Sequence, residues 1–241
     1  MDVREILVRA SEREKILKGA PIDFPASELA RYIDHTLLKP EAGPADVRKV
    51  AEEALRYGFA SVCVNPAYVS LVSEVLRGSG VKTCSVVGFP LGANKKELKV
   101  LEARRAFEDG AQEIDMVMNI GMFRAGERAY VEDEIAEIAE LPYKFTLKVI
   151  IEACLLTDEE KAEAALLVKK AGAHFVKTST GFSKGGATLH DVAILREAVG
   201  PDFGVKAAGG IRTYEDAVLM IKAGANRIGA SRSLQIIKAT G

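Results

Sequence analysis

The stretch TDEEKAEAALLVKKAGAHFVKTSTGF, Thr157 to Phe182, carries one full repeat of the pattern that sets the fold. Thr157 and Glu160 stand in capping-box spacing, and Gly172 sits where the helix they open must stop. An apolar, strand-like run follows, HFVKTST at 174–180, and it ends in Gly181. Helix, glycine stop, buried strand and glycine turn form one unit of a parallel sheet covered by helices on both faces.

The unit recurs in both directions. Candidate strands are 31–38, 59–64, 81–89, 113–120, 145–153, 174–180, 203–209 and 227–231. RYGFA, EDGAQ, KAGAH and KAGAN echo one another at helix ends, each with a glycine just before the next strand. TYEDAVLMIKAG repeats the opening at Thr213 and the stop at Gly224. Eight such units predict an α/β fold of the (β/α)8 TIM-barrel type. The alternative, an open doubly wound sheet, would carry a glycine-rich phosphate turn after its first strand. The chain has DHTLLKPEAGP there, and its glycines gather after strands six, seven and eight.

At 241 residues with 48% hydrophobic side chains, the chain suits one large barrel or two modest domains. No linker divides it, so one domain over 1–241 is expected, with 1–25 as an N-terminal helical extension. The helix at 3–18 is charged throughout and reads as amphipathic rather than as a signal peptide. A net charge of -1 gives no general pull toward nucleic acid. No window offers the roughly 18 apolar residues that a membrane span needs. Cys63, Cys84 and Cys154 are odd in number and lack CxxC spacing. That argues against a disulfide framework or a zinc site and fits a reducing cytoplasm.

Polar residues inside the strands are the chemical signal. Asp115, Lys177 and Lys206 each interrupt an apolar run. A lysine in a core is costly unless paired or discharged. If Lys177 faces inward, Phe175 and Ser179 do too; beside Lys206, Gly204 and Ala208 leave room. Two ammonium groups roughly 5 Å apart repel by about 3 kcal/mol at an effective dielectric of about 20. Such repulsion, with desolvation, favours one free amine, the condition for attack on a carbonyl. Exposure between helices, or a structural ion cluster, would explain a single lysine equally well. A pair on consecutive strands plus an aspartate points to chemistry. Lys148 and Glu152 are further inward candidates.

TGFSKGG (180–186), AGGIR (208–212) and GASR (229–232) end three adjacent strands. The last two are expected to lead into helix N-termini, and together the three could cradle one phosphate. Lys184, Arg212 and Arg232 are nearby cations.

With these motifs IDHTLLKP, VCVNP, VVGFPLG, EIDMVMNIG, LKVIIEA, FVKTSTGF, VKAAGGIR and IGAS stand in order over roughly 30–235. In them the chain resembles the deoxyribose-phosphate aldolases. The resemblance implies a class I aldolase that needs no cofactor and no metal. It would cleave 2-deoxy-D-ribose 5-phosphate reversibly to D-glyceraldehyde 3-phosphate and acetaldehyde. It implies Lys177 as the Schiff-base lysine, with Lys206 as its neighbouring cation and Asp115 in a proton relay. It implies Gly181, Gly209, Gly210 and Ser231 in the phosphate pocket, with Asp34 supporting Lys206 and Cys63 lying in the pocket; Thr178 and the inward candidate Lys148 are expected as further support. It also implies a homodimer or homotetramer acting on a small phosphorylated aldehyde or sugar, without nucleic acid or membrane. Two departures stand out: Arg232 replaces a second serine, and the chain ends IIKATG without the tyrosine that some relatives carry. Another Schiff-base barrel, such as a transaldolase, or a silent sugar-phosphate-binding barrel remains the competing reading.

Overall fold

A computed structural model describes residues 2–19 and 21–238. Among the described residues the strands close into a barrel in the order β1-β2-β3-β4-β5-β6-β7-β8, every pairing parallel. The strands are β1 (Ile33–Leu37), β2 (Ser61–Val64), β3 (Lys82–Val87), β4 (Glu113–Val117), β5 (Thr146–Ile150), β6 (Phe175–Lys177), β7 (Gly204–Ala208) and β8 (Arg227–Ala230). All eight fall inside the expected ranges, and they are shorter. The difference at β6 has a visible cause. Thr178 Oγ1 accepts from Ala208 N (3.1 Å) and donates to Ala208 O (3.2 Å), so a side chain takes over where the strand ladder ends.

Helices cover the barrel. Ahead of β1 come α1 (Val3–Leu17) and α2 (Ala26–Leu29). Between strands lie α3 (Pro44–Tyr57), α4 (Val69–Val75), α5 (Lys96–Glu108), α6 (Ile120–Arg124), α7 (Arg128–Ala139), α8 (Asp158–Lys170), α9 (Leu189–Val199) and α10 (Tyr214–Ala223), with α11 (Ser233–Lys238) after β8. The capping box read at Thr157 is present: Glu160 N donates to Thr157 Oγ1 (3.2 Å) and Thr157 N to Glu160 Oε2 (2.8 Å). Such a cap stabilises a helix start by about 1 kcal/mol. Gly172, at φ +86°, supplies the left-handed turn that ends α8.

Alternation along the strands creates two interiors. Outward residues such as Val62, Ile114, Val149, Val176, Val205 and Ile228 are buried under the helices. Inward residues fill the barrel, and here many are charged, where a barrel of this type ordinarily stacks branched aliphatics. The N-terminal extension lies outside the barrel wall. Helix α1 buries Ile6 and Ala10, one turn apart, against α8, α9 and α10. Residues 21–25 run on along α10, where Tyr214 Oη donates to Phe24 O (2.6 Å).

Candidate active site

Six strands aim ionisable side chains into one cluster. Asp115 of β4 sits at its centre. Its Oδ2 accepts from Lys177 Nζ (2.7 Å) and Lys206 Nζ (2.6 Å), and its Oδ1 from Lys148 Nζ (2.9 Å). The register explains this convergence: Asp115 pairs with Lys148, and Lys177 with Lys206. Asp34 of β1 takes Lys206 on Oδ2 and, on Oδ1, Arg227 (2.6 Å) and Ser61 Oγ (2.6 Å). Glu113 holds Lys148 (2.6 Å) and Arg227 (3.2 Å). Lys177 and Lys206 share one oxygen, so their nitrogens are no farther apart than those two bonds laid end to end.

The cluster holds four cations, Lys148, Lys177, Lys206 and Arg227, against three carboxylates, Asp34, Glu113 and Asp115. Burial alone would raise the Asp115 carboxyl, but Lys148, Lys177 and Lys206 outweigh it and hold it well below the usual carboxylate range. Asp34 is likewise held low, burial being overcome by Lys206, Arg227 and Lys148. Burial pulls Lys206 down, and Asp115 with Asp34 more than reverse it, so Lys206 remains a cation. Lys148 is raised in the same way, chiefly by Asp115 against burial. Lys148, Lys206 and Arg227 each meet two or more carboxylates, whereas Lys177 meets Asp115 alone.

Cys63 lies beside Cys84 in register across β2 and β3, and Cys84 Sγ is 3.3 Å from Asp115 Oδ1. The two thiols and Asp115 have donor atoms within 4.8 Å of one another. Both Asp115 oxygens already carry ammonium groups, which repel any added cation, so this trio does not suit a metal ion. Ser179, two residues beyond Lys177, is buried and its Oγ has no protein partner.

The glycine turns gather at the barrel mouth. Gly181, Gly209 and Gly210 have φ of +83°, +85° and +80°. The turn after β6 folds back onto that after β7: a Cβ on Gly186 would meet Gly209 O at 2.3 Å. Glu152, at φ +51°, is the one non-glycine residue with positive φ among those described. Its carboxylate accepts from Thr180 Oγ1 and from Thr180 N (3.3 Å), pinning the β6 turn to the end of β5. Ser231 and Arg232 are exposed beside a cleft of about 190 Å³. Behind them His35 bridges Ser233 Oγ (2.9 Å) and Glu53 Oε2 (2.9 Å). Burial pushes this imidazole below its ordinary value. Ser233 is fully buried and donates to Ala230 O (3.0 Å), so the trio is a clasp on the start of α11.

A family model described as DeoC/LacD family aldolase matches residues 29–239. The chain belongs to this family. It is 58% identical over 211 residues to a deoxyribose-phosphate aldolase of Clostridium kluyveri, covering 87% of this chain and 97% of that one. A deoxyribose-phosphate aldolase of Thermococcus gammatolerans is 55% identical over 215 residues, covering 88% and 96%. The deoxyribose phosphate aldolase of Aeropyrum pernix, described as a unique tetrameric structure, superposes with a TM-score of 0.85 at 36% identity, covering 100% of this chain and 98% of that one.

Within this aldolase, the residues expected to carry the chemistry, Asp115, Lys177 and Lys206, meet in one cluster with Asp34 and Lys148, and Cys63 and Thr178 lie beside it. The turns at 208–212 and 229–232 lead into helices as expected: Thr213 caps α10, and α11 begins at Ser233. At the start of α10, Asp216 Oδ2 already takes Arg212 N (3.0 Å) and Thr213 N (3.0 Å). Lys184 and Arg212 are exposed beside the turns. Glu113, Arg227 and Ser61 are members that sequence reading missed. Glu113 and Arg227 open their strands and read there as edge charges; only inward alternation from Asp115, two residues on, would have marked Glu113. The chain end IIKATG, noted above for its lack of a tyrosine, lies outside the described residues from 239 on.

Proposed function

We propose that this aldolase reversibly cleaves 2-deoxy-D-ribose 5-phosphate to D-glyceraldehyde 3-phosphate and acetaldehyde through a Schiff base on Lys177. One observation carries the assignment: Lys177 is the cation of the cluster with a single carboxylate partner, and it stands at the mouth end. Discharging Lys177 leaves three cations facing three carboxylates. The same step at Lys206 or Lys148 would break two or more buried ion pairs, whereas at Lys177 it breaks one.

The steps follow from that charge balance. The free amine of Lys177 adds to the sugar aldehyde, and water leaves to give an iminium ion. The C3 hydroxyl gives up its proton, the C2–C3 bond breaks, and its electron pair flows into the iminium. Glyceraldehyde 3-phosphate departs and an enamine remains. Protonation of that enamine and addition of water release acetaldehyde and restore the amine. Lys206 is the proton carrier, acting through a bridging water that Asp115 orients. Gly181, Gly209 and Gly210 offer backbone N–H groups to the phosphate, with Ser231 and Arg232 on its far side. No metal enters any step.

The same reading makes 1–241 one aldolase domain with 1–25 as its extension. It makes the protein a cytoplasmic homodimer or homotetramer, in line with the tetrameric Aeropyrum relative. No helix among the described residues is long and apolar enough to cross a membrane.

The deciding experiment traps the intermediate. Borohydride added during turnover should leave a two-carbon adduct on Lys177, located by peptide mass spectrometry; an adduct elsewhere, or none, defeats the proposal. Acetaldehyde release should be unaffected by EDTA and abolished in Lys177→Leu. Arg232→Ala should raise KM for the phosphorylated sugar far more than for free deoxyribose.

A further inference from the structure

Two aromatic rings meet across the barrel mouth. Phe89 lies in the turn after β3 and Phe182 in the turn after β6. Their centroids are 5.2 Å apart at 85°, an edge-to-face contact. β4 and β5 stand between β3 and β6 in the closed order, so this contact spans the ends of the strands that carry Asp115 and Lys148. Phe89 packs on the apolar group Leu38, Cys63, Cys84 and Val86. Cys84 in turn touches Asp115, which holds Lys177. The path from Phe182 through Phe89, Cys84 and Asp115 to Lys177 is closed by the chain itself over 177–182. Under this ring Lys177 is 3% exposed and Asp115 is fully buried, whereas Phe182 is 51% exposed.

We propose that Phe182 is a specificity-determining residue: with Phe89 it forms an aromatic bar across the mouth that parts to admit the acceptor aldehyde and limits its width. The inference rests on the aldol chemistry proposed above. The bar is built to move on one side. Phe89 is seated on buried side chains, while Phe182 follows Gly181 in a turn of exposed residues and meets Phe89 through one ring contact. A slim chain, such as a phosphorylated triose, passes beneath with its phosphate on the glycine turns. A bulky apolar chain has to displace the ring to bring its carbonyl to the enamine. Once closed, the same rings keep bulk water from the enamine, whose competing fate is protonation and hydrolysis back to acetaldehyde.

The test compares acceptors, with acetaldehyde as donor. Phe182→Ala should raise kcat/KM for 3-phenylpropanal relative to glyceraldehyde 3-phosphate by about tenfold, the scale of a hydrophobic pocket's discrimination. Phe89→Ala should act in the same direction, and the double variant should gain little beyond either single one, because both remove one contact. An unchanged ratio in Phe182→Ala, or effects that multiply in the double variant, overturns the proposal. Borohydride trapping of acetaldehyde alone separates the two readings. No adduct on the unaltered protein defeats the aldol chemistry and the bar together; an adduct with an unmoved acceptor ratio defeats the bar alone.

Discussion

Gly229 shows how little slack surrounds Lys206, the proposed proton carrier. A Cβ there would lie 3.2 Å from Lys206 Cε and 2.9 Å from Ala208 Cβ. The first neighbour is a side chain already fixed by two carboxylates, so it has nowhere to retreat. Gly229→Ala should therefore keep the circular-dichroism spectrum while kcat falls about a hundredfold, the usual scale for an ångström of misplacement in a site. Wild-type kinetics in that variant would show that Lys206 is not held where the chemistry needs it. Thr180 tests a different kind of constraint. Its hydroxyl and N–H both serve the buried Glu152 carboxylate, which sits on a strained backbone. Thr180→Val should cost about 1–3 kcal/mol in urea unfolding, the range for a buried polar group that loses a partner. It should also raise KM for phosphorylated sugar, since the turn it anchors leads into Gly181.

At the level of elements, an imidazole adds a pH-sensitive latch to the docking of α1. His190 of α9 meets Glu14 of α1 (2.9 Å) and Asp158 of α8 (2.8 Å). Partial burial works against its proton, and the hydrogen bonds to Asp158 and Glu14 overcome that, so its value is raised. A raised imidazole contributes stability in full below its unfolded value and loses it as pH climbs through the folded one. Glu14 and Asp158 are lowered, Glu14 chiefly by Lys18 and Asp158 by Lys161 and His190 against burial. Their share is present above the ordinary carboxylate range and is lost on acidification. The latch is thus strongest between about pH 4.5 and 6.5. Hydrogen exchange across α1 should be slower at pH 5.5 than at pH 8.5 after correction for intrinsic rates, and His190→Gln should erase the difference. An equal difference in that variant would place the pH sensitivity elsewhere.

Over the whole molecule, the charged cluster proposed to serve the chemistry also closes the barrel. Asp34 of β1 reaches Ser61 on β2, Arg227 on β8 and Lys206 on β7, so one carboxylate ties strands on both sides of the seam where the first strand meets the last. Removing one partner of a buried ion pair costs about 3–5 kcal/mol, and each kcal/mol moves Tm by about 2–4 °C in a chain of this size. Asp34→Asn should therefore lower Tm by about 10 °C in calorimetry. A shift within error would mean that the seam is held by backbone pairing alone.

The architecture was legible because its signals are local. Glycine stops such as Gly172 and Gly224, the caps at Thr157 and Thr213, and short buried runs each depend on a few neighbouring residues, and eight repetitions leave one way to close a parallel sheet. Lys177, Lys206 and Asp115 were legible for a related reason: a charge inside a buried strand violates the pattern that surrounds it. Lys99 and Glu134 lie on helices, where charge violates nothing. Yet they form a fully buried pair, at 2.6 Å, that also holds Val117 O and Asn119 N at the end of β4. The sequence alone determined how many strands there are, which residues of a strand share a face, and that Asp115, Lys177 and Lys206 break the apolar pattern. Only the tertiary structure decided which carboxylate each lysine meets, how Arg227 joins the cluster, and that Phe89 and Phe182 touch across the mouth. Those outcomes depend on strand stagger and on distances between residues far apart in the chain, which no local pattern encodes.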